Sequence, residues 1–546
     1  MSTGVVFDQF SFPPALNDSG QTAFFAGLNH EGVTIGEGFF SEGDGSLKLV
    51  VRVGDQAPGT PNGTMFYFST GDIHSIELNN AGQIAFVAHL SGGGVNDEGV
   101  WSEGAGSLAL VVRKGDQAPG MPNDVRFEFL NPGVVLNDNG QTAFLAEITG
   151  SLYSLWSEGS GSLALVARTG SSAPGTPVGV NFERLSEPAL NNAGQTAFWG
   201  VLTGGGVIDA NNEGVWSEST GSLALVAREG EQAAGQPAGV TYGGSFVFTL
   251  GTPGLNNAGQ VAFLTRLTGG GVTDANNGGI WSDASGSLGP VAREGDQAPG
   301  TPAGVRFGNS IAAFEMPPLN NAGHTAFSAF LTGTGVNQTN SQGVWVQRSD
   351  GLTLVAREGE QSPGTPAGVT FGVNGVSPPF LSLALNDAGQ IAFMARLTGV
   401  GVGETNNIGI WATDQAGVLQ LIVRLGDSLE VAPGDLRTIS DVSFRGTEYR
   451  NVGRRTSLNN RGQLAFLARF TDGSEGIFVS DHVAILPLRL EPSSIQSPET
   501  FRFRLYGSAG SSGQIQRSDN LQTWTDWMPF NLGDEVPRHF LTVLSK

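Results

Sequence analysis

The chain has no cysteine, which removes disulfides, thiolate metal sites and a thiol nucleophile together. Charged residues fill only 14% of its 546 positions, well below the usual quarter, and three lysines (Lys48, Lys114, Lys546) stand against 25 arginines. No stretch approaches the roughly 20 apolar residues of a membrane helix, so no membrane insertion is expected. Met1 leads directly into repeat sequence, which leaves either a cytosolic protein or one whose targeting segments lie outside this chain. Basic charge is scarce: the formal charge is −22, and no nucleic-acid partner is expected, because binding a duplex requires Lys and Arg to neutralise phosphates. Residues 487–546 hold six basic and six acidic side chains, so the whole deficit lies on residues 1–486.

Glycine is abundant instead, at 82 residues about twice the usual share. With 33 Phe, 9 Trp and 39% apolar residues, the chain is turn-dense yet has enough apolar surface to build a core. The glycines are not scattered. Asn17, Asn79, Asn137, Asn191, Asn256, Asn320, Asn386 and Asn459 each open the pattern N-x-x-G-x-x-A-F, at intervals of 54 to 73 residues. A period of that size, carried by short apolar runs between Gly, Pro and Asn turns, indicates a ring or stack of small β-sheets.

Residues 67–122 serve as the template. Strand a ends at Leu78, Asn79 to Gly82 makes a turn with Gly at positive φ, and strand b runs from Gln83 to Leu90. Strand c centres on Val100 and Trp101, and strand d runs from Leu108 to Arg113. Strand b carries Ile84, Phe86 and Ala88 on one face and Ala85 and Val87 on the other, so both faces must be covered. A closed propeller meets that requirement and leaves only short edges. The strand c aromatic recurs as Phe40, Trp101, Trp156, Trp216, Trp281, Trp345, Trp411 and Phe478, which fits packing between blades. Strand d ends in R-x-G-[DE] in six units, an ion pair or backbone clamp at the rim; unit three has Ser171 in place of the acid.

With N-x-x-G-x-x-A-F, G-[VI]-W and V-A-R-E-G-D-Q-A-P-G in one unit, the chain resembles the bacterial NxxGxxAF tandem-repeat proteins over about residues 1–486. All eight units keep the Asn, Gly, Ala and Phe, as in Asn256, Gly259, Ala262 and Phe263. The resemblance implies an extracellular or cell-surface protein and brings no activity with it. The unit is also similar to TolB-type and tryptophan-aspartate propeller repeats. That likeness implies that the b–c and d–a loops share one rim, while the NNAG turns and the SEGAGS-type turns share the other, opposite the binding face.

The expected fold is all-β: an eight-bladed β-propeller of four-stranded antiparallel blades over residues 1–488, a linker at 489–494, and a small β-sandwich-like domain at 495–546. The last has period-two alternation from Phe501 to Leu505. Val483 to Leu488 is expected to supply the outer strand of blade eight, so that closure rests on packing of blade eight against blade one.

Catalysis in such a ring should show as a departure from the repeat. None of the six histidines sits in a metal-ligand spacing, and no G-x-S-x-G or H-E-x-x-H occurs. The off-repeat residues His74, Tyr67, Tyr242, Tyr449 and Arg454 or Arg455 form the candidate catalytic set for a polysaccharide lyase or glycoside hydrolase. Asp209, Asn211 and Glu213, and less completely Asp274 and Asn276, alternate oxygen side chains as a calcium loop does, although a distal bidentate Glu is missing. The same residues also form ordinary polar hairpin loops. No concentrated catalytic set emerges. The chain therefore reads as a binding or scaffold protein that takes carbohydrate or a surface protein on its b–c and d–a loops. The alternatives are the lyase or hydrolase and a surface-layer or fibre component.

Overall fold

A computed structural model describes residues 5–31, 33–68, 76–92, 98–243, 253–308, 317–373, 378–446 and 455–484, together with backbone strands at 489–497, 500–506, 512–517 and 525–531. Every regular element among them is a β-strand. Eight small antiparallel sheets follow one another along the chain as an eight-bladed β-propeller.

In unit two, strand a comes in two pieces, Thr64–Tyr67 and Ile76–Leu78, both paired to strand b, Ile84–Gly92; strands c (Glu98–Ser102) and d (Ala109–Arg113) complete the sheet. The a–b turn is built by the motif. Asn79 Oδ1 accepts the Gln83 N–H at 2.9 Å, Asn79 Nδ2 donates to Gln83 Oε1 at 2.8 Å, and Gly82 takes φ 80°. This satisfies turn groups locally that a β-ladder would otherwise have to pair.

Both faces of strand b are buried, as its sequence requires. Ile84, Phe86 and Ala88 join a cluster with unit one, while Ala85 and Val87 pack with unit three. Trp101 fills the space between blades, and its indole N–H donates to the Pro58 carbonyl of the d–a loop at 3.1 Å. Trp216, Trp281, Trp345 and Trp411 repeat that bond to Pro174, Ala234, Pro299 and Pro363. Each ring thus buries its apolar body without stranding its one polar atom.

The R-x-G-[DE] segment is mainly a backbone clamp. Asp116 Oδ2 accepts the main-chain N–H of Arg113 at 2.8 Å, and Asp55 does the same for Arg52. The arginine head groups of units four to seven turn elsewhere: Nε of Arg228, Arg293, Arg357 and Arg424 donates to the carbonyls of Asn211, Asn276, Asn340 and Asn406 in the b–c loops.

Unit eight departs from the plan. Strand a (Asp435–Ser443) is preceded by a hairpin partner, Ser428–Ala432, and followed by Leu464–Phe470 and Glu475–Ser480. Among the described residues no strand pairs with the outer side of Glu475–Ser480. Of the segment Val483 to Leu488 expected to supply the outer strand, only Val483 and Ala484 are described: the Ala484 N–H closes a turn onto the Asp481 carbonyl at 3.1 Å, and the Val483 carbonyl accepts a bond from Gln390 Nε2 of unit seven at 2.9 Å. Residues 485–488 lie outside the described residues. Closure does rest on packing: Phe10, Phe24, Ala26, Leu28 and Phe40 of unit one surround Leu467 and Ile477 of unit eight.

The segment expected to be a linker, 489–494, lies inside strand Arg489–Ser497, paired with Thr500–Tyr506. Pro492 stands beside the register shift between Pro492 and Ser494, the kind of irregularity at which a strand accepts proline. A second two-stranded pair joins Ser512–Arg517 to Thr525–Asn531.

Candidate functional site

The two rims of the propeller carry different chemistry. A Cβ at Gly82 would lie 2.0 Å from the Gly43 carbonyl, so the NNAG turn of one unit meets the c–d turn of the unit before it. A Cβ at Gly92 would lie 2.4 Å from the Gly63 carbonyl, which places the b–c and d–a loops together on the other rim.

On the turn rim the motif forms two closed hydrogen-bonded circles. Nδ2 of each motif Asn donates to the carbonyl of the motif Asn in the next unit, from Asn17 to Asn79 and on around to Asn459, which donates to Asn17. The following residue makes the second circle. The N–H of Asp18 donates to Asn80 Oδ1, Asn80 to Asp138, Asp138 to Asn192, Asn192 to Asn257, Asn257 to Asn321, Asn321 to Asp387, Asp387 to Asn460, and Asn460 to Asp18. These turns, together with Arg455, line a central cavity of about 400 Å³.

Each carboxylate of the second circle is flanked by two amides. Asn80 and Asn460 both donate to Asp18 Oδ2, and Asn321 and Asn460 to Asp387 Oδ2. A carboxylate only accepts, so two neighbouring Asp would leave donors missing and like charges adjacent. Arg455 supplies the cation: it is ion-paired to Asp138, hydrogen-bonded to Asn80 Oδ1 at 3.0 Å, and 3.8 Å from Asp18. Burial works to raise the Asp138 carboxyl, but the Arg455 charge and the bonds from Asn80 and Asn192 outweigh it, so its pKa lies below the ordinary value. Arg445 makes a second reach from unit eight to unit two, where it forms a buried ion pair with Glu77 and donates to the Ile76 carbonyl at 2.8 Å.

The loop rim is where the repeat is broken. In unit three the b–c connection shrinks to Thr149–Ser151, between the paired residues Ile148 and Leu152, with Gly150 and Ser151 at φ 92° and 56°. Unit four has Gly205 to Asn212 at the same place, between Gly204 and Glu213. Next to the short hairpin, Phe129, Glu147 and Tyr153 are cross-strand partners in one row. Partners in a row share a face, so the two rings flank the carboxylate about 10 Å apart, two strand spacings. Phe129 and Tyr153 are 41% and 37% exposed, high for aromatic side chains.

The row is held together electrically. Tyr153 donates its hydroxyl to Glu147, and that hydrogen bond with the nearby negative charge raises the phenol pKa; Arg184 of unit four pulls the other way. Arg184, Phe129 and Tyr67 occupy one register position in units four, three and two, opposite Val201, Glu147 and His89. Unit eight fills the equivalent row with Asp441, Arg469 and Glu475, where the one guanidinium pairs with both carboxylates at 2.9 Å each. Unit three keeps two exposed rings beside a half-buried acid.

Of the candidate catalytic residues, Tyr67 lies on this rim and is half-exposed. Tyr242 is buried between Phe263 and Trp281, accepts the Ala234 N–H at 3.1 Å, and has its pKa pushed up to about 12 by burial. Arg455 lies on the turn rim, away from Tyr67 and Tyr242. His74, Tyr449 and Arg454 lie outside the described residues. The calcium-loop candidates form internal turns: Asn211 Oδ1 accepts the Ile208 N–H at 2.8 Å and Asn276 Oδ1 the Thr273 N–H at 2.7 Å. Asp209 and Asp274 are exposed in those loops, whereas Glu213 is buried in strand c. Among the described residues no three His, Asp or Glu gather as a metal site would require.

Sequence reasoning missed Phe129, Glu147, Tyr153 and Arg184. The available signal was the length of the loop in T-G-S-L-Y-S-L-W against the long loops of its neighbours.

The model of a protein family described as a family of unknown function (DUF7453) matches residues 2–297 and again 235–495. No curated protein matches the chain. Among solved structures, an oligogalacturonate lyase in complex with manganese is similar at 10% identity and TM-score 0.31, over 75% of this chain and 89% of that one. The polysaccharide lyase Uly1 is similar at 9% identity and TM-score 0.32, over 73% and 87%. An acylaminoacyl peptidase of Pyrococcus horikoshii is similar at 9% and 0.33, and this chain spans 57% of its length against 80% of its own.

Proposed function

The chain belongs to that family of unknown function, and we propose that it is an extracellular or cell-surface binding propeller that takes a carbohydrate on its loop rim, over units two to four. The observation that carries the reading is the row Phe129, Glu147, Tyr153 beside Arg184, exposed where the short hairpin of unit three uncovers it. A sugar ring offers an apolar C–H face that packs on an aromatic ring, and hydroxyl pairs that suit the planar carboxylate and guanidinium. Rings about 10 Å apart suit a segment of one or two sugar units. Aromatic anchors with a few fixed polar groups are what small-molecule sites generally contain. The secreted location rests on the resemblance of the repeat unit.

The test is a glycan array probed with the whole protein and with the Phe129→Ala and Tyr153→Ala variants. Binding of a defined glycan class that either substitution lowers at least tenfold supports the reading. No glycan bound, or equal binding by both variants, defeats it.

A further inference from the structure

Glu147 stands on strand b, ten residues after Asn137, in the middle of the row that it shares with Phe129 and Tyr153. The same position holds Arg266, Arg396 and Arg469 in units five, seven and eight, and Gly27, His89, Val201 and Phe330 in the other four. Unit three alone has an acid there. Its strand c partner is exchanged as well: Glu37, Glu98, Glu213 and Glu475 face this position in units one, two, four and eight, where unit three has Tyr153.

Unit eight shows what the usual polarity achieves. Arg469 lies between Asp441 and Glu475 and pairs with both, so the protein's own cation closes that row. In unit three the carboxylate is central, with a ring on either side. Arg184 bears on the Tyr153 hydroxyl, and among the described residues Glu147 has no ion pair. The Tyr153 hydroxyl uses one acceptor site of the carboxylate, and an ionised carboxylate has about four.

A cation placed midway between rings about 10 Å apart lies about 5 Å from each, within the roughly 6 Å over which a ring face attracts it. Glu128 and Glu183, the chain neighbours of Phe129 and Arg184, are exposed acids, so Arg184 does not make the patch basic. We infer that the sugar taken by this row carries a free ammonium group, as a glucosamine oligomer does, with the ammonium on Glu147 and C–H faces on Phe129 and Tyr153. The inference rests on the carbohydrate reading and adds to it the charge of the ligand. The formal charge of −22, all on residues 1–486, draws a polycation toward the ring. A uronate oligomer would bring its own carboxylates against Glu147 and be rejected by like charge.

Isothermal titration of the whole protein at about pH 6, where a sugar amine holds its proton, compares hexamers of glucosamine, N-acetylglucosamine and galacturonate. The glucosamine hexamer should bind at least tenfold more tightly than the acetylated one, and the galacturonate hexamer more weakly than either. Glu147→Gln, which keeps the size of the side chain, should lose that preference. Tyr153→Phe, which keeps the ring and frees the carboxylate, should retain it. Raising the salt from about 0.1 M to 1 M shortens the screening length from roughly 10 Å to 3 Å and should weaken the binding of glucosamine alone. Equal affinity for the first two hexamers, tighter binding of galacturonate, or an intact preference in Glu147→Gln overturns the inference. If the sugar that does bind is still lost with Tyr153→Ala, the wider carbohydrate reading stands without it. A glucosamine hexamer that does not bind also overturns it, and the glycan array then decides the wider reading alone.

Discussion

Asn459 Nδ2 of the last unit donates to the main-chain carbonyl of Asn17 in the first, 2.9 Å away and 442 residues apart in sequence. The bond is the same one that joins every other pair of neighbours, so on this circle the seam of the ring carries the same link as its other joints. Asn459→Ala removes it, together with the bonds that Asn459 Oδ1 accepts from the Arg461 and Gln463 N–H groups in its own turn, and leaves the Asn17 carbonyl with the Gly20 N–H alone. We expect a loss of about 1–3 kcal/mol, matched by Asn256→Ala at an ordinary joint. Urea denaturation of both variants checks this, and a much smaller loss at Asn459 would show that the seam is not closed in solution.

Arg455 holds Asp138 ionised. A carboxyl with a lowered folded pKa contributes stability above its unfolded value, about 3.9, and loses it as pH falls through the folded value. Arg455→Met should therefore be less stable than the native protein at pH 7. The gap should narrow as pH falls below the unfolded value and through the lower folded one, where Asp138 takes up a proton. Denaturation midpoints of the two proteins across pH 3 to 7 would show a constant gap if the pair contributes nothing.

Glu77 and Arg445 are 3% and 7% exposed, so removing either one strips the counter-ion from a buried charge. Glu77→Leu or Arg445→Met singly should cost about 3–5 kcal/mol. The double variant should cost clearly less than the sum, and a double-mutant cycle with no coupling would rule the pair out.

Unit three clamps its strand d end with a hydroxyl: the Arg168 N–H reaches Ser171 Oγ at 3.4 Å, against 2.8 Å to the carboxylates of units one and two. Ser171→Asp should shorten that contact and stabilise the protein by about 0.5–1 kcal/mol. Thermal melting would report it, and a destabilised variant would mean that the serine is there for another reason.

Replacing Thr149–Ser151 by the long b–c loop of unit four should cover Tyr153 and Phe129. Glycan binding should be lost while the melting temperature changes little. Retained binding would place the ligand elsewhere.

The fold was legible because one unit recurs eight times. Alternation in Ile84 to Ala88 specified a strand covered on both faces, and Asn79 with Gly82 specified the turn before it; each has a local cause that a single segment can reveal. The ring of Asp18, Asn80, Asp138 and their successors was visible as an Asn or Asp after every motif Asn, but its meaning depends on neighbours 54 to 73 residues away. Tyr242 looked off-repeat and proved to be the ring that other units fill with Phe, packed on Trp281. Phe129, Glu147 and Arg184 share a site only because of strand register and blade contact, and neither is written in a local pattern. The edge of unit eight was foreseen as incomplete, but the bond from Gln390 of unit seven to the Val483 carbonyl joins different units and has no local signal.

A ring of eight like wedges would offer eight equal places to a ligand and no way to choose among them. Unit eight shares the short connection, Thr471–Ser474, but fills its row with Asp441, Arg469 and Glu475, so unit three stands apart from its seven companions. If that row is the binding site, as proposed, one occupant per molecule at a fixed azimuth on the ring is the stoichiometry expected.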